Sequence, residues 1–254
     1  MSLDPLSPLA VGERDLRLSG WRNAETGELF EGVTITADDI VADVGCSDFP
    51  IVARFCAGRG ARTVLVDTDT AKLAVLRQRL SDVDPAFYSI VEGAEGAIPL
   101  ADGTASKVVS TEVLEHVDDP VRFMAELVRI GRSGAHYILS VPDPLCERLA
   151  KRIAPVEAFQ KPNHIRIFER EQFAALVRGA GLVIERQVEA GFFYALNSIM
   201  FWAERVDPVT MQADRLDSWA RTWGQLLDCE HGRLVKDILD SALPKSQIIV
   251  ARKP

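Results

Sequence analysis

Three groups of residues in this chain have the types and spacings to do chemistry. The first is the run VADVGCSDF (Val41–Phe49) followed by TVLVD, whose Asp67 lies twenty-two residues past Gly45. A buried strand, a glycine turn and a helix, then a second strand ending in a carboxylate, read as a nucleotide-binding βαβ unit. The turn brings backbone N–H groups to a helix start, and the acid can accept hydrogen bonds from ribose hydroxyls. The second group is Glu112, Glu115 and His116, at i, i+3 and i+4. If that segment is helical, all three share one side. The third is His164 in NHIRIFEREQF (Asn163–Phe173), placed just before a helix on the same carboxyl-end rim of the sheet. Two carboxylates and two imidazoles suit a divalent cation such as Mg, Mn, Fe or Zn. Without a metal, His116 suits a general base.

These residues need elements to carry them, and apolar periodicity supplies a set. Strands are expected at Ile40–Val44, Thr63–Val66, Tyr88–Val91, Lys107–Ser110, His136–Val141, Leu182–Val188 and Ser246–Ala251. Helices are expected at Pro50–Ala57, at Ala71–Leu80 with Thr70 as its cap, at Pro120–Ile130, and at Glu169–Gly179. Strands alternating with helices over short links imply a parallel sheet wound on both faces. The last two strands break the rhythm. About 55 residues separate them, too long for an ordinary crossover, and the stretch is helical in period and rich in aromatics, with three of the four tryptophans. It reads as a helical bundle, a substrate cap and a candidate homodimer face. Residues 1–38 read as a lead-in that packs on the domain or covers a pocket, with one amphipathic stretch near Leu16–Phe30.

Composition narrows the function classes. The chain has 254 residues, 47% of them hydrophobic, which is enough for one large α/β domain with an added cap. A formal net charge of −8 argues against a broad nucleic-acid footprint. No apolar run reaches the roughly 18 residues of a membrane span, so no membrane partner is expected. The N-terminus lacks the pattern of a signal peptide. The four cysteines are scattered without a CxxC pair, as in a reduced cytoplasmic protein.

Taken together, VADVGCSDF, LVDTD, EGAEGAIPLADGTASKVVSTEVLEHVDDP (Glu92–Pro120) and AHYILSVPDP (Ala135–Pro144) resemble the class I S-adenosylmethionine-dependent methyltransferases over about residues 39–190. The resemblance implies a doubly wound, mostly parallel, seven-stranded Rossmann-like α/β sheet with an antiparallel last strand and a helical insertion. Residues 39–192 and 245–254 would form the core and 193–244 the cap. It also implies a cofactor, S-adenosylmethionine. Asp43 would anchor the loop and approach the methionine amino group, and Gly45 would let the backbone come close. Ser47 stands at a position that is glycine in the family. Asp67 would hold the ribose hydroxyls, with Thr68 beside the adenine. Ala94 or, with a shift of one residue, Glu95 stands where an acid contacts the adenine amine. The backbone near Ser110 and Thr111 would touch the methionine. The set Glu112, Glu115, His116 and His164 is similar to metal sets in terminal-ribose RNA methyltransferases and ubiquinone-pathway O-methyltransferases. The expected reaction is methyl transfer to a hydroxyl oxygen of a small metabolite.

The chain also departs from the family pattern. Phe49 occupies a glycine position, where a bulky ring is expected to crowd the helix start and to strain the backbone if φ is positive. Ala94 lacks the usual acid, and Ala105-Ser106 replaces Phe-Asp. These departures define the alternative: a methyltransferase-like subunit with an eroded cofactor site and no catalysis. A reductase on the same sheet would carry GxGxxG, which is absent from this loop.

Overall fold

The two periodicities of the chain fold as two compact units. The computed structural model describes residues 4–94, 96–204 and 212–254. One unit gathers helical stretches: the chain up to Trp21, Pro142–Ile167 and Glu189–Gln247. The other gathers the strand–helix alternation: Arg22–Val141, Phe168–Val188 and Ile248–Pro254. In chain order, α1 (Pro8–Leu18) precedes β1 (Trp21–Asn23), β2 (Glu28–Phe30) and β3 (Val33–Thr34), which form a small sheet of their own. The amphipathic stretch read near Leu16–Phe30 is therefore a helix end followed by two short strands. The break falls at Gly20, whose φ of +97° suits glycine.

There follow β4 (Ile40–Val44), α2 (Ile51–Ala57), β5 (Arg62–Asp67), α3 (Thr70–Arg79), β6 (Tyr88–Glu92), β7 (Ala105–Thr111) and α4 (Pro120–Ile130). Next come β8 (Gly131–Pro142), α5 (Pro144–Ile153), α6 (Arg170–Gly179) and β9 (Val183–Ala190). The chain closes with α7 (Phe192–Glu204), α8 (Gln212–Leu227), α9 (Gly232–Ala242) and β10 (Ser246–Arg252). Seven strands form one sheet in the order β6-β5-β4-β7-β8-β10-β9. The pairs β6–β5, β5–β4, β4–β7 and β7–β8 are parallel. β10 runs antiparallel to its neighbours: Asp143 N donates to Lys245 O, and eight residues earlier on β8 Ala135 O accepts from Lys253 N, eight residues later on β10.

β4 is central, and Val41, Ala42 and Val44 are buried on both of its faces, as a parallel strand between helical layers requires. The apolar face of α4, with Met124, Leu127 and Ile130, joins Val108, Tyr137, Leu139 and Phe173 in the core of this unit. α3 is capped by Asp69, whose Oδ1 accepts from Ala71 N and Lys72 N at 2.9 and 3.1 Å. Thr70, expected as the cap, is the first helical residue. Both are short polar side chains, and the aspartate, one residue earlier, has the extended backbone that a cap requires. Among the described residues no helix is long and apolar enough to cross a membrane.

The helical unit packs Val11, Phe193, Ala220, Trp223 and Leu227 together, with Phe192, Tyr194 and Trp219 around them. Inside it lies a buried charge network. Lys236 Nζ sits 3.2 Å from Asp15 Oδ1, donates to Ser19 Oγ at 2.8 Å and pairs with Asp240 at i+4. Trp223 Nε1 donates to Asp15 Oδ1 at 2.8 Å. Asp240 Oδ1 accepts the first free N–H groups of α7, from Gly191 and Phe192, at 3.1 and 2.8 Å. One cation thus ties α1, α9 and the start of α7. Burial pushes the Asp15 carboxyl up, and Lys236 opposes that rise.

Truncating Lys236 to Met would leave two carboxylates buried without their cation, which typically costs about 3–5 kcal/mol. A denaturation midpoint for Lys236→Met that differs from wild type by less than about 1 kcal/mol would show that the network contributes little.

Candidate functional site

In a parallel sheet all carboxyl ends lie on one edge, and the loops there are where ligands bind. The residues of the glycine loop and its partners fall on that edge. Asp43 is the penultimate residue of β4, Asp67 ends β5 and Thr68 follows it, Ala94 lies just after β6, and Thr111 ends β7. Glu95 lies outside the described residues. Gly45 has φ +75° directly after β4. A Cβ there would meet Val113 Cγ2 at 2.3 Å, so only glycine fits the turn. The loop is pinned to β5 because Gly45 N and Cys46 N both donate to Val66 O, at 2.8 and 3.2 Å. Ser47 Oγ accepts from Phe49 N at 3.1 Å, a side-chain turn that shapes the loop where the family has glycine.

The expected crowding by Phe49 is not realised. Among the described residues only Arg22 and Glu112 combine a side chain with positive φ, so Phe49 carries no left-handed strain. Its ring is 56% exposed. The Arg79 guanidinium lies 4.2 Å from the ring centroid, and Arg79 also binds Asp48 through its backbone oxygen at 3.0 Å and its carboxylate at 3.1 Å. The cation–π contact draws the ring toward solvent. Ser106 likewise has a local account. Its Oγ donates to Asp39 Oδ1 at 2.7 Å and accepts from Ile40 N at 3.0 Å, locking the amino ends of β4 and β7, the opposite edge of the sheet. Ala94 forms a bridge with Ala97 through hydrogen bonds of 3.3 and 3.0 Å.

Two acids dominate the electrostatics of the carboxyl edge. Asp43 is 8% exposed, and burial first, then the neighbouring Asp67 charge, push its carboxyl up to about 7. Asp67 is held in orientation by Asp69 N, which donates to its Oδ1 at 2.9 Å. The same burial pushes the Cys46 thiol up, so it stays protonated and unreactive at neutral pH.

The stretch after β7 differs from the helix that its spacing allowed. Residues 112–117 hold no helix: Leu114–His116 form a turn, with His116 N donating to Val113 O at 3.0 Å. Glu112 has φ +55°, its N donates to Ser140 O at 2.9 Å, and its Oε1 accepts from Ser140 Oγ at 3.0 Å. A non-glycine residue there stores about 1–3 kcal/mol of strain, which such packing must hold in place. The shared helix face of Glu112, Glu115 and His116 therefore does not exist. Glu115 is buried, and His116, 37% exposed, has its Nε2 3.8 Å from Glu115 Oε1. His164 belongs to the helical unit, where its Nδ1 lies 2.7 Å from Glu147 Oε2. Sequence reading passed over Glu147. Its signal was a lone acid on the apolar side of α5, beside the buried Cys146 and Ala150.

Comparison with known proteins finds a methyltransferase domain within the sheet unit. Residues 42–139 match the methyltransferase domain family. A probable S-adenosylmethionine-dependent methyltransferase of Mycolicibacterium smegmatis is 28% identical over 145 residues, which cover 57% of this chain and 52% of that protein. Residues 42–139 therefore carry a methyltransferase domain, and the chain is similar to proteins named as S-adenosylmethionine-dependent methyltransferases. It spans about half the length of the curated relatives it matches. Solved structures agree on the fold. A Bacillus halodurans C-125 protein assigned as a methyltransferase superposes with a TM-score of 0.58 at 18% identity, covering 87% of this chain and 94% of that one. The geranyl diphosphate C-methyltransferase of Streptomyces coelicolor A3(2), solved with Mg2+, geranyl diphosphate and S-adenosyl-L-homocysteine, gives 0.60 at 13% identity, covering 97% and 77%. The donor set on this edge suits S-adenosylmethionine, the cofactor for which the curated relatives are named: a buried acid and an oriented acid at adjacent strand ends, flanking a turn that admits no side chain.

The raised Asp43 carboxyl makes a signed prediction. A folded-state value near 7 against 3.8 means that the folded state holds a proton the unfolded state has lost, so Asp43 removes stability as pH rises from about 4 to 7. Asp43→Asn should therefore stabilise the protein by a few kcal/mol at pH 8 and by far less at pH 4. Thermal melts at the two pH values test this, and a gain independent of pH would contradict it. Phe49→Gly should change S-adenosylhomocysteine affinity by less than about threefold in calorimetry; a large tightening would mean that the ring does occupy the crevice.

Proposed function

We propose that this chain transfers a methyl group from S-adenosylmethionine to a hydroxyl oxygen of a small metabolite. The observation that carries the reading is the Asp43–Gly45–Asp67 arrangement on the carboxyl edge of β4 and β5, with Phe49 turned to solvent. Asp67, already oriented by Asp69 N, accepts hydrogen bonds from the ribose hydroxyls. The buried Asp43, in its ionised form, faces the cationic amino group. Thr68 and the backbone at Ala94 flank the adenine, and the end of β7 at Thr111 flanks the methionine chain. When bound, S-adenosylmethionine supplies a methyl carbon that is already electrophilic because its sulfur is a sulfonium.

The protein then has to align a hydroxyl with that carbon and take its proton. His116 is the group assigned to the proton. It is partly exposed at the carboxyl edge, with its Nε2 3.8 Å from the buried Glu115 carboxylate. The formal charge of −8 disfavours long nucleic acid, which supports a small acceptor. A divalent ion on Glu112, Glu115, His116 and His164 is not needed for these steps, and none of them is routed through one. The rival reading, a silent methyltransferase-like subunit, drew on Phe49, Ala94 and Ser106. Phe49 lies against Arg79 with its ring largely exposed, and Ser106 serves the opposite edge of the sheet, so neither supports that reading.

Calorimetry with S-adenosylhomocysteine and an assay of methyl transfer to hydroxylated metabolites test the proposal. Asp67→Ala should weaken S-adenosylhomocysteine binding by more than about 1 kcal/mol. His116→Ala should lower kcat by roughly a hundredfold with binding retained. Absence of binding at about millimolar ligand would sink the enzymatic reading in favour of the silent subunit. Binding with an unaltered rate in His116→Ala would remove only the base assignment.

A further inference from the structure

We propose that α5 and the turn after it form a docking surface for an anionic lipid bilayer. α5 buries Pro144, Cys146, Glu147 and Ala150 and leaves Leu145, Arg148, Leu149, Lys151 and Arg152 exposed. Leu145, Arg148, Leu149 and Arg152 stand at i, i+3, i+4 and i+7, so they share one face. That spacing normally marks the side of a helix that meets a core. Here its leucines are 45% and 37% exposed, and Val156 in the following turn is 64% exposed. One exposed leucine on a soluble protein needs no explanation. Three exposed aliphatic side chains within twelve residues, interleaved with three exposed cations, form a pattern.

The charge of this segment runs against that of the chain. From Pro144 to Arg166 five Lys and Arg face two carboxylates, in a protein of formal charge −8. One of the two, Glu147, is buried against His164. The exposed surface of the segment is therefore cationic and complements an anionic one. α7 packs beside α5 in the same unit. It carries Phe201, 38% exposed, and Trp202, with the two rings edge to face at 4.6 Å. Aromatic rings, short aliphatic side chains and arginines whose stems lie along apolar surface while their heads reach phosphate are the composition of a bilayer interface. An acidic protein would attract the cations but would leave the leucine stripe without a matching apolar layer. The lack of a spanning helix bears only on crossing the bilayer, so the segment would lie on it. Binding through so short a face is weak, reversible and dependent on both signals.

The test is co-sedimentation of the full chain with phosphatidylcholine vesicles with and without phosphatidylglycerol. The protein should pellet with the anionic vesicles, stay in solution with the neutral ones, and come off the anionic vesicles in molar salt. R148Q/R152Q should lower the partition constant by roughly tenfold or more, and L145S/L149S should lower it comparably. L234S/I238S on α9, where Leu234 and Ile238 are 59% and 58% exposed, should leave it unchanged. Thermal melts confirm that each variant is folded. Equal pelleting with neutral vesicles, no pelleting at all, equal loss in the α9 variant, or tighter binding to soluble polyglutamate than to vesicles would each overturn the proposal. None of these readouts depends on methyl transfer.

Discussion

A carboxylate buried at the end of a central parallel strand is the constraint that organises the sheet unit. Asp43 stands on β4, which pairs with β5 on one side and β7 on the other, and only 8% of the residue reaches solvent. Its proton affinity rises because the fold has removed its solvent and set Asp67 nearby. Nothing in folding alone favours that arrangement, since a valine at the same place would pack better. The cost becomes intelligible if a cationic group arrives to offset it. The rest of the edge is consistent with this: a turn that admits only glycine, a serine that shapes the loop in place of a second glycine, and an aromatic ring held outward by an arginine.

Much of this was legible in the sequence, and the legible parts share a cause. The ranges read for Ile40–Val44 and Pro120–Ile130 coincide with β4 and α4. Each is specified locally, β4 by a run of apolar residues closed by glycine, α4 by an Asp cap, a proline in its first turn and an amphipathic face. The misreadings needed tertiary knowledge. A helix over Glu112–His116 was compatible with spacing, but the backbone there is set by Ser140, twenty-eight residues on, which takes both the N–H and the carboxylate of Glu112. Phe49 was read against a family in which glycine occupies its place. Its escape to solvent depends on Arg79, thirty residues away, and no local rule reveals that partner.

The helical unit follows a different logic from the sheet unit. Its aromatics supply apolar area, and its register is set by polar groups. Lys236 answers Asp15 on α1 and Asp240 on its own helix, while Asp240 caps the start of α7. Each group is costly to bury and tolerable only with its partners in place. A slip of any one helix by a turn would strand a charge, so such a network selects one packing among the many an aromatic-rich bundle could adopt. In sequence these residues look like an ordinary amphipathic pattern with charges, because periodicity records which face a residue occupies and not what it meets there.

The comparisons separate what is shared from what is particular. Identity to solved structures of this fold is 13–18%, yet they superpose on this chain with TM-scores of 0.58 and 0.60. The relationship is therefore held by topology, with few individual residues in common. The match to the family domain ends at residue 139, one strand-end short of α5. The leucine–arginine face of α5, the Glu147–His164 pair and the lysine-centred network of the helical unit lie outside the residues matched by the family domain. A fold of this kind supports many acceptors because one edge of the sheet binds the donor while other elements vary. On the proposed reading, the acceptor would be selected by residues 142–167 and 189–247, whose chemistry the glycine loop does not constrain.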